Sequence, residues 1–281
     1  FLSSLIIVTL LFGCGEKEVD VEIENNSESL FKLIGSEITG IDFINHIPEN
    51  DTLSQFTYHY LFNGNGVGIG DINNDGLNDI YISGNAISSK LYLNQGDFKF
   101  QDITDKAGVA TNQWMTGVSM IDVNNDGWLD IYVGSSGPSK KPSQKRNKLF
   151  INNKDNTFTE SANMWGVDDA GNTSTAAFFD FDNDGDLDMY LGNHALEYYS
   201  DINVPYRRTM KMNETSAQRF YENKGDRFIE ITKKAGMEAM GYCLSATPGD
   251  YNNDGLIDLY VCNDYHIPDF LYINKGDGTF K

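Results

Sequence analysis

Four aspartate-rich nonapeptides are the residues of this chain whose types and spacing suit cation binding. DFDNDGDLD, starting at Asp180, has counterparts in DINNDGLND from Asp71, DVNNDGWLD from Asp122 and DYNNDGLID from Asp250. Each reduces to D-x-[DN]-x-D-G-x-x-D followed by a short apolar run. Side-chain oxygens at positions 1, 3, 5 and 9 can converge on one point if the chain turns sharply at the position-6 glycine. Ca²⁺ takes six to eight oxygen ligands and suits such a loop better than Mg²⁺, which keeps several waters.

The predicted side-chain ligands occupy those four positions in every copy. They are Asp71, Asn73, Asp75 and Asp79; Asp122, Asn124, Asp126 and Asp130; Asp180, Asp182, Asp184 and Asp188; and Asp250, Asn252, Asp254 and Asp258. One such cluster alone could be a polar turn, because Asp, Asn and Gly are turn residues. Four copies at matching phase favour the metal loop.

An EF-hand loop shares the first six positions but differs after them. It needs a bidentate Glu at position 12 and a helix on each side. Position 12 is Ile82, Val133, Leu191 or Val261 here, and position 9 is Asp in every copy. The segments that follow, DIYIS, DIYVG, DMYLG and DLYVC, alternate in the manner of strands. The sequence therefore predicts a shorter loop, closed at position 9 and followed by a strand.

The acidity of the chain is concentrated in these loops. The 281 residues carry a net charge of −20, and the loops hold 14 of the 41 acidic side chains. Four bound Ca²⁺ ions would bring the net charge to −12. The negative sign disfavours nucleic acid as a partner, because phosphate binding needs basic residues. Apolar residues make up 40% of the chain and aromatic residues 12%, which predicts a packed core.

The N-terminal residues 1–14 predict an export signal. FLSSLIIVTLLFGCG has an apolar run at 5–12 that is too short to span a bilayer but typical of a signal-peptide core. LFGC at 11–14 resembles a bacterial lipobox, which predicts lipidation of Cys14; a plain signal peptide with an incidental cysteine is the alternative. Because no initiator Met is present, we expect the true start to lie upstream. Residues 15–39 are predicted to be an acidic tether between the lipid anchor and the rest of the chain. The lipoprotein is expected at the outer membrane or cell surface, or on a membrane face directed toward the periplasm.

Residues 40–281 predict an all-β fold built from a larger repeat. Each metal loop follows a strand of small residues and precedes a Tyr-containing strand, a third strand and, in three copies, a fourth. Four short antiparallel strands per repeat indicate the blades of a β-propeller. The predicted blades span about 63–108, 114–166, 173–236 and 242–281. About three and a half blades cannot close a ring, so we expect a fragment. Residues 40–47 and 56–62 read as two additional strands.

Two cysteines follow the export signal. Cys262 directly follows the apolar run of the fourth copy, which predicts a buried thiol. A Cys243–Cys262 disulfide between neighbouring strands is the alternative. Either way, the chain does not have the cysteine content of a disulfide scaffold.

Two basic insertions separate the predicted second and third strands. Residues 135–147 hold Lys140, Lys141, Lys145 and Arg146, and residues 193–218 hold His194, Tyr198, Tyr199, Tyr206, Arg207, Arg208 and Lys211. In an up-and-down blade the connection between strands 2 and 3 lies on the face opposite the connection between strands 1 and 2. The insertions are therefore expected opposite the metal loops, either as solvated loops or as a surface for a ligand or partner.

The repeats resemble the FG-GAP/VCBS repeat, the calcium-binding blade also found in the integrin alpha-chain head. YLFNGNGVGIGDINNDGLNDIYISGN, WMTGVSMIDVNNDGWLDIYVG, AAFFDFDNDGDLDMYLGNH and LYINKGDGTF are similar to exported bacterial proteins of the cartilage acidic protein type, which carry a C-terminal ASPIC/UnbV domain. The resemblance implies a seven-bladed propeller with the four nonapeptides as its metal sites. It also implies that position 7 binds the metal through its backbone carbonyl: Leu77, Trp128, Asp186 and Leu256.

Three functions are compatible with these patterns. The preferred one is a Ca²⁺-stabilised binding, adhesion or scaffold module for a glycan or another exported protein, held at the membrane through its lipid anchor only. The alternative is a carbohydrate-active enzyme of the polysaccharide-lyase kind; its candidate base and charge-neutralising residues are His194, His266, Tyr199, Arg207 and Arg208. The third is a structural spacer for a further domain. No HExxH, GxSxG or P-loop motif is present. GNGVGIG at 64–70 leads into a metal loop, so it predicts close strand packing near a propeller axis.

Overall fold

The computed structural model of the chain describes residues 30–139, 141–195, 215–265 and 267–281. Residues 30–34 belong to one unit, and residues 35–281 form a second unit that carries all the repeats. The predicted signal sequence with Cys14 and the first part of the predicted tether lie outside the described residues. Within the described ranges, helices are too short or too polar to cross a membrane.

Antiparallel sheets of hairpin-connected strands make up the second unit. In each sheet the strand order follows the chain, so every sheet is an up-and-down meander. The first sheet contains β1 (Val67–Gly70), β2 (Asp79–Ile82), β3 (Lys90–Asn94) and β4 (Phe100–Asp102). The second contains β5 (Met115–Ile121), β6 (Asp130–Ser135), β7 (Lys148–Asn152) and β8 (Phe158–Glu160). The third contains β9 (Thr173–Phe179), β10 (Asp188–Asn193), β11 (Arg219–Asn223) and β12 (Phe228–Glu230). The fourth contains β13 (Cys243–Gly249), β14 (Asp258–Asn263) and β15 (Phe270–Tyr272).

One helical turn follows the last strand of each four-stranded sheet. These are α2 (Thr104–Ala107), α3 (Ala162–Trp165) and α4 (Thr232–Ala235); α1 (Ser36–Thr39) precedes the first sheet, and a 3₁₀ turn (Pro142–Gln144) precedes β7. Each of α2 to α4 ends at a glycine in the left-handed region, such as Gly108 at φ 74°. In the first two sheets, the residue after that glycine accepts a hydrogen bond from the tyrosine of the second strand. Tyr81 donates to the Val109 carbonyl at 3.2 Å, and Tyr132 to the Val167 carbonyl at 3.1 Å.

The first strands of successive sheets lie side by side. The Gly66 N–H donates to the Thr116 carbonyl at 3.0 Å, and the Thr116 hydroxyl donates to the Thr173 carbonyl at 2.7 Å. A Cβ at Gly66 would lie 2.4 Å from the Thr116 oxygen, so only glycine fits there. Consecutive first strands therefore surround a common axis, which is the arrangement of propeller blades. The predicted all-β propeller is confirmed, and close strand packing accounts for the glycine-rich segment 64–70.

The hydrophobic core lies in layers between consecutive sheets. Alternate residues of one strand serve two layers: Ile131 and Val133 pack with Tyr81 of the first sheet, whereas Tyr132 packs with Tyr221 of the third. A separate cluster of buried residues contains Tyr58, Tyr60, Leu61, Tyr242 and Ile267. Each sheet is thus held mainly through its contacts with the neighbouring sheets.

The two additional strands predicted before the first sheet are absent. Residues 40–47 have no strand pairing, and residues 54–62 form consecutive turns. The Tyr58 N–H bonds to the Ser54 carbonyl at 2.9 Å and the Leu61 N–H to the Tyr58 carbonyl at 3.1 Å, so this backbone satisfies itself locally. The aromatic alternation does not follow burial, because Tyr58 and Tyr60 are buried whereas Phe56 and Phe62 are exposed.

The cysteines also differ from the prediction. Cys243 is the buried thiol and Cys262 is only half-buried; both are free. They lie on the paired strands β13 and β14, but Cys243 is opposite Asn263 and Cys262 is opposite Ser245, with a β-bulge between. The bulge shifts the register, so the two residues do not face each other. Burial raises the pKa of the Cys243 thiol to about 12.

Candidate metal centre

Each nonapeptide is the connection between the first two strands of a sheet. The residue before the loop pairs with the last aspartate of the loop, as Gly70 pairs with Asp79 and Ile121 with Asp130. The same register occurs in the third and fourth sheets. The loops therefore begin and end at fixed points of the strand ladder. All four are displayed at the same end of the sheets.

The first aspartate of each loop folds the loop around its own carboxylate. Asp71 Oδ1 accepts the Asp75 N–H at 3.1 Å, and its Oδ2 accepts the Gly76 N–H at 2.7 Å. The other three loops repeat both bonds. Each carboxylate oxygen has two lone pairs, so these bonds leave acceptor capacity for a cation.

Two left-handed residues shape the loop. The position-6 glycine has a positive φ in every copy, for example 88° at Gly76, as its sequence position predicted. Position 4 is also left-handed, and it is asparagine in all four copies: Asn74, Asn125, Asn183 and Asn253. Asn tolerates this conformation better than most side chains. No role was assigned to position 4 from the sequence, although the asparagine in every copy indicated a left-handed residue there.

The last aspartate of each loop is buried and held by two backbone N–H groups. Asp79, Asp130, Asp188 and Asp258 are each at most 1% exposed. In the first loop Asp79 Oδ2 accepts the Ile72 N–H at 3.0 Å, and Oδ1 accepts the Asn94 N–H at 2.8 Å. The other loops repeat this pair. The position-9 carboxylate thus joins its own loop to the third strand of the sheet.

These buried carboxylates have no cationic side chain beside them in the ion pairs of the described residues. Burial raises the pKa of Asp130 and of Asp188 to about 7, and it raises the pKa of Asp79 as well. Buried charges in proteins are normally paired or bound to metal. A divalent cation would favour the ionised carboxylate and offset the burial.

The third loop brings three carboxylates together. Oxygens of Asp180, Asp182 and Asp188 all lie within 4.8 Å of one another. Two ligands of one Ca²⁺ ion, each about 2.3–2.6 Å from it, are at most about 5 Å apart, so this spacing fits. Asp186 adds a further carboxylate, and burial with repulsion from Asp184 raises its pKa to about 6. The third loop therefore has the strongest attraction for a cation.

In the other loops the position-3 residue is asparagine and contacts position 5. Asn73 Nδ2 donates to Asp75 Oδ2 at 2.9 Å, and the same contact occurs at Asn124 and Asn252. The position-7 backbone N–H donates to position 5, as from Leu77 to Asp75 at 2.8 Å. Metal binding through the carbonyls of position 7 stays a prediction.

In the second, third and fourth sheets, an asparagine at or just after the end of the third strand links the loops of neighbouring sheets. Asn223 Nδ2 donates to the Leu187 carbonyl of its own loop at 3.1 Å and to the Val123 carbonyl of the preceding loop at 2.9 Å. Asn152 and Asn274 make the corresponding pairs. We call this arrangement the inter-sheet clasp. Sequence reasoning missed it; the only signal was the Asn that ends LYLN, LFIN, FYEN and LYIN.

The clasp connects position 2 of one loop with position 8 of the next. In the first sheet, Asn94 Nδ2 reaches only the carbonyl of Asn78 in its own loop, at 2.8 Å. Asn94 is half-buried, whereas Asn223 has no exposed surface. The metal loops therefore form a row in which each loop is bonded to the neighbouring sheet that follows it, from the first loop to the third.

Comparisons with known proteins agree with this geometry. Residues 71–133 and 138–191 match the family model described as FG-GAP-like repeat. This chain contains FG-GAP-like repeats. The fourth copy lies beyond the matched residues, but its loop makes the same hydrogen bonds.

The chain is also homologous to cartilage acidic protein 1. It is 24% identical to the Homo sapiens protein over 285 residues, covering 99% of this chain and 38% of the relative. It is 26% identical to the Xenopus tropicalis protein over 249 residues, covering 86% and 34%. The chain thus spans about a third of the length of these relatives. The resemblance to the cartilage acidic protein type is confirmed.

Among solved structures, the chain resembles part of a Photorhabdus luminescens Tc holotoxin pore. The TM-score is 0.36 at 14% identity, covering 72% of this chain and 8% of that one. A likeness of this degree indicates nothing about function.

The insertions predicted opposite the metal loops do connect second and third strands, but Lys145 and His194, two of the residues singled out in them, are buried rather than solvated. Lys145 is 3% exposed and donates to Asn172 Oδ1 at 2.8 Å; burial lowers its pKa. His194 is 4% exposed, and burial with the nearby Lys145 charge lowers its pKa to about 3. The other candidates of the enzyme hypothesis, Tyr199, Arg207, Arg208 and His266, lie outside the described residues.

Proposed function

We propose that this chain is a calcium-binding, exported β-propeller that acts as a binding, adhesion or scaffold module. Its four nonapeptides each bind one Ca²⁺ ion through positions 1, 3, 5 and 9. The metal loops stabilise the row of sheets, and the opposite face presents a surface to a glycan or an exported protein.

The observation that carries the proposal is the buried carboxylate at position 9. Asp130 and Asp188 are almost fully buried, their pKa values are raised to about 7, and within the described residues backbone N–H groups are their hydrogen-bond donors. A group in this state favours a bound cation, and the remaining oxygens of the loop are hard ligands of the kind that Ca²⁺ prefers.

The expected stabilisation is comparable with the stability of a whole domain. Extracellular calcium modules bind with dissociation constants of about 10⁻⁴ to 10⁻³ M. At a Ca²⁺ concentration ten times the dissociation constant, each site contributes about 1.4 kcal/mol to the free energy of unfolding. Four sites contribute about 5–6 kcal/mol, within the ~5–15 kcal/mol of a typical domain. This magnitude favours a structural role for the metal.

Thermal unfolding tests the structural role. The full chain is melted in 5 mM CaCl₂, in EDTA, and in EDTA followed by excess CaCl₂ or MgCl₂. We expect EDTA to lower the midpoint, CaCl₂ to restore it, and MgCl₂ to restore it less. A midpoint that is the same in EDTA and in CaCl₂ would rule out structural calcium.

Export and lipidation complete the proposal. The lipobox-like LFGC motif supports lipid attachment at Cys14, and the homology to cartilage acidic protein 1 covers nearly the whole chain. Expression of the natural gene with labelled palmitate tests the anchor: label is expected in the wild type and absent in Cys14→Ser. Label in both proteins would exclude Cys14 as the lipidated residue.

A further inference from the structure

A cavity of about 180 Å³ lies where the first strands begin, at the end of the sheets opposite the metal loops. Its floor includes Gly66, Thr116 and Ser174, which belong to three successive sheets. Its walls include the aromatic rings of Tyr58 and Trp114, whose centroids are 5.4 Å apart in an edge-to-face arrangement. The cavity therefore lies near the common axis of the sheets.

The lining of the cavity combines apolar surface with uncharged polar groups. No Asp, Glu, Lys or Arg is among the described residues that line it. Hydrogen-bonding groups come from Asn63, Asn65, Ser174 and His194, and the low pKa of His194 keeps its ring neutral near pH 7. An ionised ligand would find no counter-charge in the walls, so the lining selects a neutral ligand.

One buried polar group in the wall lacks a partner. Tyr60 is 7% exposed, and its hydroxyl makes no hydrogen bond in the described part of the chain. Its ring packs against the His194 ring with centroids 4.3 Å apart. An unsatisfied buried hydroxyl is costly, so a ligand that bonds to it gains affinity from that bond.

The surrounding hydrogen bonds hold the walls in place. The Tyr58 hydroxyl is 3.3 Å from Ser136 Oγ, which is 3.3 Å from His194 Nε2. Asn172 Nδ2 donates to the His194 carbonyl at 3.2 Å. A site whose side chains are already fixed loses little conformational entropy when it binds a ligand.

The volume limits the size of the ligand. Drug-sized ligands occupy pockets of about 300–1,000 Å³, so this cavity holds something smaller. About six water molecules, at ~30 Å³ each, would fill it. One six-membered ring with its hydroxyl groups is of this size. Such a ring has apolar C–H faces for Tyr58 and Trp114, and hydroxyl groups for the asparagines and Tyr60.

We propose that this cavity binds one uncharged sugar ring, packed on Trp114 and hydrogen-bonded to Tyr60. The inference rests on the proposed function as a binding module and assigns its ligand site. Neutral hexoses and N-acetylhexosamines fit this chemistry, whereas uronic acids and sulfated sugars do not.

Calorimetric titration of the full chain in CaCl₂ tests the proposal. The probes are the methyl glycosides of glucose, galactose, mannose, fucose and N-acetylglucosamine, with glucuronic and galacturonic acid as charged counterparts. We expect saturable binding of at least one neutral glycoside and no binding of either uronic acid. Absence of binding by every neutral probe up to 50 mM would overturn the proposal, as would a preference for a uronic acid.

Two variants and one control locate the site. Trp114→Ala should weaken binding at least tenfold, and Tyr60→Phe, which removes only the hydroxyl, should weaken it about threefold to tenfold. Phe98→Ala removes an aromatic ring that is 65% exposed in the turn before β4, and should leave affinity unchanged. Unchanged affinity in both Trp114→Ala and Tyr60→Phe would overturn the assignment.

The melting experiment separates this inference from the proposed function. If EDTA lowers the melting midpoint but the variants bind as the wild type does, the calcium-stabilised propeller stands and only the sugar site is wrong. If EDTA has no effect but the variants lose binding, the sugar site stands without structural calcium. Tyr60→Phe keeps the ring in place, so it remains informative even if Trp114→Ala does not fold.

Discussion

Replacing Asn223 by alanine tests whether the inter-sheet clasp stabilises the fold. The substitution removes the donor to the Val123 carbonyl of the preceding loop and to the Leu187 carbonyl of its own loop. It also removes the acceptor for the Gly225 N–H, bonded at 2.9 Å. Asn94→Ala is the matched control, because Asn94 bonds within its own sheet and makes no bond to another loop in the described chain.

The expected loss differs between the two variants. A buried hydrogen bond contributes about 0.5–1.5 kcal/mol, and leaving a buried partner unsatisfied costs about 1–3 kcal/mol. Asn223 is fully buried, so Asn223→Ala should reduce the free energy of unfolding by about 3 kcal/mol. Asn94 is half-buried and water can replace its bonds, so Asn94→Ala should cost about 1 kcal/mol. For a protein of this size, 2 kcal/mol corresponds to a difference of about 4–8 °C in melting midpoint.

Urea and thermal unfolding of the full-length wild type and both variants in 5 mM CaCl₂ supply the measurement. We expect the order of stability to be wild type, Asn94→Ala and then Asn223→Ala. Equal losses in the two variants would mean that the bond between sheets contributes nothing. A larger loss in Asn94→Ala would contradict the argument from burial.

Two further predictions concern the buried histidine and the third metal loop. His194 has a folded-state pKa of about 3 against an unfolded value of about 6.5, so its contribution to stability is present above pH 6.5 and is lost as the pH falls toward 3. Between pH 6.5 and pH 3 the free energy of unfolding of the wild type, measured with urea, should fall by up to about 1.4 kcal/mol per pH unit more than that of His194→Gln. If the free energies of both proteins depend on pH in the same way, His194 is not buried in its neutral form. Asp188→Asn removes the buried position-9 charge, so the chain should bind one Ca²⁺ ion fewer in native mass spectrometry, whereas Asp226→Asn, in an exposed turn, should bind the full number. Loss of an ion in the Asp226 variant as well would show that general charge, and not the loop, controls binding.

The strands and metal loops could be read from sequence because they repeat. Each copy sets small residues before the loop and an alternating Ile-Tyr, Met-Tyr or Leu-Tyr segment after it, and the burial of Tyr81, Tyr132 and Tyr190 between sheets requires that alternation. Residues 56–62 show the limit of the same argument. Of their alternating aromatic residues, Tyr58 and Tyr60 are buried while Phe56 and Phe62 are exposed, and the backbone forms turns instead of a strand.

The inter-sheet clasp could not be read from sequence for a geometric reason. An asparagine at a strand end is an ordinary turn residue, and Asn223 does bond the turn through Gly225. Its decisive partner, the Val123 carbonyl, is 100 residues away and carries no side-chain signal. Burial of Lys145 was missed similarly, because its partner Asn172 comes from the next sheet.

Calcium stoichiometry tests the central claim most directly. Full-length protein stripped with EDTA and dialysed free of chelator is titrated with CaCl₂ in a calorimeter, and the loaded protein is weighed by native mass spectrometry. Ca²⁺ binding at four sites per chain is predicted, one for each nonapeptide, with a parallel rise in the melting midpoint. A chain that binds no Ca²⁺ at millimolar concentration, and melts at the same temperature with and without it, would contradict the account.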